Sequence, residues 1–276
     1  PPPPPPRPPP HAADADSSAR RRLACTSDEC TFAASAASAF AGALGELRAT
    51  GDVRVLTLAD AMESLSPAHS GASGLGLTLH ELMFADSYNA INTIKTELAR
   101  TYPEGEAREA ATLKATLTML RSAGAAAAPQ LLAFSAATRW LLRIADFQCV
   151  LLDELATVDT QTQGASDLLA ALERSLLQYD PGFYIGAFEA ITSLASLLPA
   201  SSLSDSMLCT MNCAELGYSF DAVEKPLVVA AWSPFLTSAM SVNMDVRTFL
   251  EAGGYPAADR GRCEHARCCA YGAGAY

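Results

Sequence analysis

The sequence from position 129 to position 155 is PQLLAFSAATRWLLRIADFQCVLLDEL, the most hydrophobic stretch of the chain. One set of its apolar residues recurs at helical spacing, namely Leu131, Phe134, Leu141, Ile144, Leu151 and Leu155. A second set covers the other faces of the same helix, namely Trp140, Leu142, Phe147, Val150 and Leu152. A helix that is apolar on most sides is surrounded by other elements. The stretch therefore predicts the central helix of a bundle.

The charged residues of this helix form a narrow stripe. Arg139, Arg143 and Asp146 are spaced at i, i+4 and i+7. Side chains at this spacing share one face of a helix and form local ion pairs. We interpret the stripe as the one exposed edge of the helix, in preference to a buried catalytic network.

Helical patterns also precede the central stretch. A helix capped by Ser27 and stopped by Gly51 has an apolar stripe of Phe32, Ala36, Phe40, Leu44 and Leu47. A shorter helix is predicted around Leu56 to Leu65. Thr78 and Glu81 form a capping box before a helix with Phe84, Tyr88, Ile91, Leu98 and Tyr102. The same spacing of Thr101 and Glu104 predicts the start of a helix with Leu113, Leu117 and Leu120.

Further helices are predicted after position 157. Two begin at Ser166 and at Asp180. Pro181 would be the first residue of the helix capped by Asp180, a position where proline is common. A helix from Leu227 to Met240 is expected to be interrupted near Pro234. Another, from Asp245 to Ala252, stops at Gly253 and Gly254. The fold class is therefore all-α, a multi-helix bundle over residues 23–200 with a Cys-rich, disulfide-tied helical cap over residues 201–276 packed on it.

Charge and hydropathy exclude two classes of partner. The chain of 276 residues has 19 Lys and Arg against 30 Asp and Glu, a net charge of −11, and its three lysines are Lys95, Lys114 and Lys225. Such a chain lacks the basic surface that phosphate contacts need, so we expect no nucleic-acid partner. The longest uncharged stretch, Pro226 to Met244, contains two prolines and several polar residues. We interpret it as a buried helical segment and expect no membrane span.

The eight cysteines predict an oxidising compartment. Seven are disulfide candidates clustered near the two ends of the folded part, namely Cys25, Cys30, Cys209, Cys213, Cys263, Cys268 and Cys269. Cys149, in the central helix, is either a buried thiol or a paired cysteine, and the spacing does not choose among the connectivities. Cys263, His265, Cys268 and Cys269 would have to wrap a zinc ion within seven contiguous positions, so disulfides are favoured there over a metal site.

Catalytic templates are not met. His80 and Glu81 begin like a zinc-protease helix, but Phe84 stands where the second histidine ligand belongs. The glycines around Ser73 fit neither a nucleophile elbow nor a dinucleotide loop. We therefore predict no catalytic residue, no metal, no cofactor and a protein that is not an enzyme.

The chain opens with a run of prolines. Nine of the 17 prolines lie in the first ten positions: Pro1, Pro2, Pro3, Pro4, Pro5, Pro6, Pro8, Pro9 and Pro10. Each ring fixes φ and removes an amide donor, so residues 1–10 predict a polyproline II rod of roughly 30 Å. We expect the end of a longer stalk, with a short stiff linker as the alternative. We predict that residues 11–22 are a polar linker, in which Arg20 to Arg22 is either solvated or a processing site.

The proline run, joined to an Ala-rich and Cys-containing globular part, resembles the hydroxyproline-rich glycoproteins of green algal cell walls and ciliary surface fibres. The resemblance covers the first ten residues. It implies that the prolines are hydroxylated and carry O-linked glycans, and that the rod spaces heads that mediate assembly or adhesion. The implied partners are other copies or other proline-rich glycoproteins, and the implied location is extracellular, at a cell wall or ciliary surface.

Three functions are weighed from these features. The first is a structural glycoprotein that assembles a fibre or matrix, with tyrosines such as Tyr255, Tyr271 and Tyr276 stacking on prolines of a neighbour. The second is an adhesin or glycan-binding head on a stalk. The third is a secreted hydrolase of unrecognised type, for which His69, His80 and His265 are the candidates.

Overall fold

The computed structural model describes residues 32–65, 77–157 and 230–255. Within these ranges the chain forms seven α-helices, and its only β-type pairing is one isolated bridge between Arg54 and Thr112. The all-α prediction is therefore confirmed for the described part of the chain. The proline run, the polar linker and the helices predicted between positions 166 and 200 lie outside the described residues.

The helices are numbered in chain order. They are α1 (Phe32–Thr50), α2 (Val55–Glu63), α3 (Leu77–Thr101), α4 (Gly105–Ala110), α5 (Leu113–Ser122), α6 (Ala128–Thr157) and α7 (Ser233–Ala252). A 3₁₀ turn, Gly124–Ala127, leads from α5 into α6.

Helix α6 is the central element of the described bundle, as its sequence predicts. It packs against α3, α5 and α7. Phe134, Leu141 and Ile144 of its main stripe are buried, and so are Leu142 and Leu152 on its other faces. Burial on several sides explains why this stretch needs almost no polar surface.

Helix α1 ends where the sequence predicts. Its buried stripe includes Ala36, Phe40, Leu44 and Leu47. Gly51 follows the last turn with φ of 77°, and its N–H donates to the Leu47 carbonyl at 2.8 Å. This left-handed conformation closes the helix and favours glycine.

Two predicted helix starts are wrong. Helix α3 already begins at Leu77, so Thr78 is inside the first turn, whereas an N-cap residue must precede the helix. Thr101 is the last residue of α3, and its hydroxyl donates to the Glu97 carbonyl at 2.7 Å instead of capping the next helix.

The predicted helix after Pro103 is divided in two. Between α4 and α5 the backbone is extended at Ala111 and Thr112. It is held there by two hydrogen bonds, from the Val55 N–H to the Ala111 carbonyl at 3.0 Å and from the Leu113 N–H to the Val53 carbonyl at 2.8 Å. These two bonds require partners about 60 positions away in the chain, which local spacing does not reveal.

Helix α7 runs without a break from Ser233 to Ala252, where the sequence predicts a separate helix from Asp245 to Ala252. The predicted interruption near Pro234 is confirmed. Residues 230 and 231 are helical, Trp232 lies in a turn, and α7 begins at Ser233 with Pro234 in its first turn, where no intrahelical N–H bond is lost. The helix runs through Asp245 and ends before Gly253.

Helix α7 belongs to the same hydrophobic core as α1 and α6. The Phe235 ring meets the Phe40 ring edge to face with centroids 5.1 Å apart, and the Trp232 ring meets Phe235 in the same way at 5.4 Å. Such pairs contribute about 0.5–1.5 kcal/mol beyond their buried area. The aromatic cluster joins two helices that are almost 200 positions apart in the sequence.

Candidate functional site

A buried polar cluster lies between α6 and α7. The Asp146 residue is only 1% exposed. The Asn243 amide donates to Asp146 Oδ1 at 3.1 Å and to the Leu142 carbonyl at 2.9 Å. Arg247, one turn after Asn243, forms an ion pair with Asp146 Oδ2. This Asp146–Asn243–Arg247 cluster is the most buried charged site among the described residues.

The cluster overturns the predicted exposed edge of α6. Arg139 and Arg143 are partly buried, and Asp146 is fully buried. The partners of Asp146 described here are not on its own helix; they lie 97 and 101 positions further along the chain. The available signal was the i, i+4 pair of Asn243 and Arg247 in a mostly apolar helix, which is the pattern of a polar residue pair facing a buried partner.

The chemistry of the cluster favours a structural tie over acid–base catalysis. The Arg247 guanidinium neutralises the carboxylate, and arginine does not give up its proton in proteins. Asn243 holds the carboxylate from a second direction, while its own Oδ1 is buried and has no described donor. A buried charge is tolerated only when it is paired and hydrogen-bonded, so the cluster fixes how α7 lies against α6.

A second polar junction joins α5 to the end of α1. The Asp52 carboxylate accepts hydrogen bonds from the N–H groups of Val53 at 2.8 Å, Lys114 at 3.0 Å and Ala115 at 3.2 Å. Lys114 and Ala115 are the second and third residues of α5, so Asp52 satisfies two N–H groups that have no partner inside that helix. This cap comes from a residue 62 positions earlier in the chain.

The Lys114 side chain extends this junction to α7. Its Nζ donates to the Gly51 carbonyl at 2.7 Å, pairs with Asp245 Oδ2 at 2.5 Å and lies 5.9 Å from the centre of the Phe249 ring. The Lys114 side chain therefore ties α5 to two other elements, the end of α1 and helix α7.

Helices α1 and α2 are clamped by Glu46. Its carboxylate accepts bonds from the Arg54 N–H at 3.0 Å, from Arg54 Nε at 2.8 Å and from the Thr57 hydroxyl at 2.9 Å. Partial burial acts to raise the pKa of Glu46, but these hydrogen bonds and the charge of Arg54 outweigh it and hold the pKa below its ordinary value. The same pairing raises the pKa of Arg54.

The end of α7 is fixed by arginines. Arg121 donates to the Gly253 carbonyl and lies 5.3 Å from the Tyr255 ring centre, and Arg139 donates to the Tyr255 carbonyl at 3.2 Å. Tyr255 is buried and packs against Phe249 with ring centroids 5.3 Å apart. The prediction that Tyr255 stacks on a neighbour's prolines is therefore wrong, because its ring is covered. Tyr271 and Tyr276 lie outside the described residues.

Cys149 is the one cysteine in the described ranges. It is fully buried and disulfide-bonded. The other seven, Cys25, Cys30, Cys209, Cys213, Cys263, Cys268 and Cys269, lie outside the described residues. The nearest of them in the sequence is Cys209, so an intrachain bridge from Cys149 spans at least 60 residues.

The remaining candidates add no site to these contacts. His80 and Glu81 are in the first turns of α3, but their side chains, like His69 and His265, are outside the described part. The described residues contain no group of three potential metal ligands. Across the same ranges, no helix combines the length and apolar character that crossing a bilayer requires. The described large apolar side chains that face solvent are Tyr88, Met119 and Leu132.

Comparison with other proteins identifies no relative. The chain matches no protein-family profile, no curated protein and no solved structure.

Proposed function

We propose that the chain is the helical head of an extracellular structural glycoprotein, carried on a glycosylated polyproline stalk, which mediates assembly of a fibre or matrix. In this proposal the protein holds a position between partners and does not turn over a substrate. The partners are other copies of the chain or other proline-rich glycoproteins, at a cell wall or ciliary surface.

The observation that carries the proposal is the proline run. Nine prolines in ten positions lack the amide donors that a helix or a sheet requires, and such a sequence favours a stiff polyproline II spacer with a solvated backbone. A spacer of this kind is useful where a folded head must be held away from an anchoring surface. The resemblance to the hydroxyproline-rich glycoproteins rests on the same residues.

The disulfide at Cys149 supports the extracellular part of the proposal. Disulfides persist in oxidising compartments and are rare in the cytosol. Because Cys149 is buried in the central helix, its bridge is sheltered from reductant and suits a structural role.

The polar contacts support a structural role in a different way. Asp146, Asp52 and Glu46 are carboxylates that would be candidates for acid–base chemistry, yet each is engaged in tying two helices together. Such contacts make a rigid head, which is what a positional role requires.

Intact mass spectrometry of the native protein tests the proposal. We expect a mass above that of the sequence, with the excess in the fragment containing residues 1–10, which chemical deglycosylation removes down to hydroxylated prolines. Reduction and alkylation should also reveal disulfide-bonded cysteines. Unmodified prolines together with eight reduced thiols would overturn the proposal.

Sedimentation of the native protein tests the assembly itself. A matched variant replaces the nine prolines of residues 1–10 by serine, which keeps the length and leaves the head unchanged. We expect the native protein to associate with itself or with an added polyproline peptide, and the variant to associate less. A native protein that remains monomeric in both conditions would contradict a role in assembly.

A further inference from the structure

We draw no further inference here: the strongest candidate, the buried Asp146–Asn243–Arg247 cluster between α6 and α7, in which Asn243 Oδ1 accepts no hydrogen bond, belongs to the site already described, and nothing in the described residues points to a ligand for it.

Discussion

Asp146 contributes to stability through a charge pair that is almost entirely removed from water. Its side chain is 2% exposed and that of its partner Arg247 is 13% exposed. Removing one member of a buried ion pair costs roughly 3–5 kcal/mol, because the other charge is left in a medium that solvates it poorly. We expect Asp146→Asn to lower the free energy of unfolding by about this amount in urea titrations. Asparagine keeps an oxygen that accepts the hydrogen bond from Asn243, so the change in the free energy of unfolding reports mainly the loss of the negative charge.

Two variants control this measurement. Replacing both charges, with Asp146→Asn and Arg247→Met together, should recover much of the loss, since no buried charge then stands alone. Glu63→Gln breaks the Lys95–Glu63 pair, whose side chains are 35% and 38% exposed, and should cost less than about 1 kcal/mol. An Asp146→Asn variant as stable as Glu63→Gln would show that the buried pair is energetically unimportant.

Gly253 is required by a close approach and not by its backbone angle, because its φ is −75°. A Cβ at this position would lie 2.3 Å from Cε2 and 2.6 Å from Cδ2 of the Tyr255 ring. That ring is packed on Phe249 and beneath Arg121, so it has little room to move. We expect Gly253→Ala to lower the free energy of unfolding by about 1–3 kcal/mol, the usual cost of overpacking.

Gly42 provides the matched control. It lies in the middle of α1, and a Cβ there would meet nothing within 4 Å. Gly42→Ala should therefore stabilise the protein by about 0.5–1 kcal/mol through helix propensity alone. In a Tyr255→Ala background most of the penalty of Gly253→Ala should disappear, because the remaining close neighbour of the added Cβ is the Phe249 carbonyl oxygen at 3.1 Å. If Gly42→Ala and Gly253→Ala raised the free energy of unfolding equally, a close approach of the Tyr255 ring to Gly253 would be refuted.

At the scale of elements, the Glu46 clamp makes the joint between α1 and α2 sensitive to acid. The folded protein holds the pKa of Glu46 below its ordinary value, so the ionised form stabilises the fold above that ordinary pKa. This stabilisation is lost as the pH falls through the folded pKa. We expect the free energy of unfolding to drop more steeply on acidification for the native protein than for Glu46→Gln, measured by urea titrations at successive pH values.

The partner of Glu46 supplies the control. In an Arg54→Met background the side-chain hydrogen bonds and the charge of Arg54 are removed, while the bonds from the backbone N–H of residue 54 and from the Thr57 hydroxyl remain. Glu46→Gln should then change the pH dependence much less than it does in the native protein. If the free energies of unfolding of Glu46→Gln and of the native chain changed in parallel with pH, the contacts of Glu46 would not lower its pKa in the folded state.

The extent to which elements were predictable depended on where their partners lie. Local signals are sufficient for the stripe of α1, the Gly51 stop and the burial of α6 on several sides, since each depends on residues within a few turns. Local spacing does not predict the break before α5, because the break depends on hydrogen bonds to Val53 and Val55, far back in the chain. The burial of Asp146 is not predictable from local spacing for the same reason, because α7 brings Asn243 and Arg247 to it.

At the scale of the whole molecule, the described helices are held together by links between distant parts of the sequence. Lys114 touches the end of α1 and the middle of α7, and the rings of Phe40 and Phe235 meet although almost 200 residues separate them. Contacts of such long range close large loops, which costs chain entropy before the contacts compensate for it. A covalent link reduces this entropic cost by restricting the unfolded chain, and the disulfide at Cys149 is such a link.

The contribution of that disulfide can be measured by removing Cys149. An intrachain bridge of 60 residues or more is expected to stabilise the fold by roughly 4 kcal/mol through the entropy of the unfolded chain. Under oxidising conditions Cys149→Ala should therefore lose several kcal/mol in urea titrations. When both proteins are fully reduced, the difference should shrink to about 1 kcal/mol, the cost of deleting one buried group of methyl size. A difference that is the same with and without reductant would show that Cys149 acts by packing alone, and the bridge would then contribute nothing to the stability of the head.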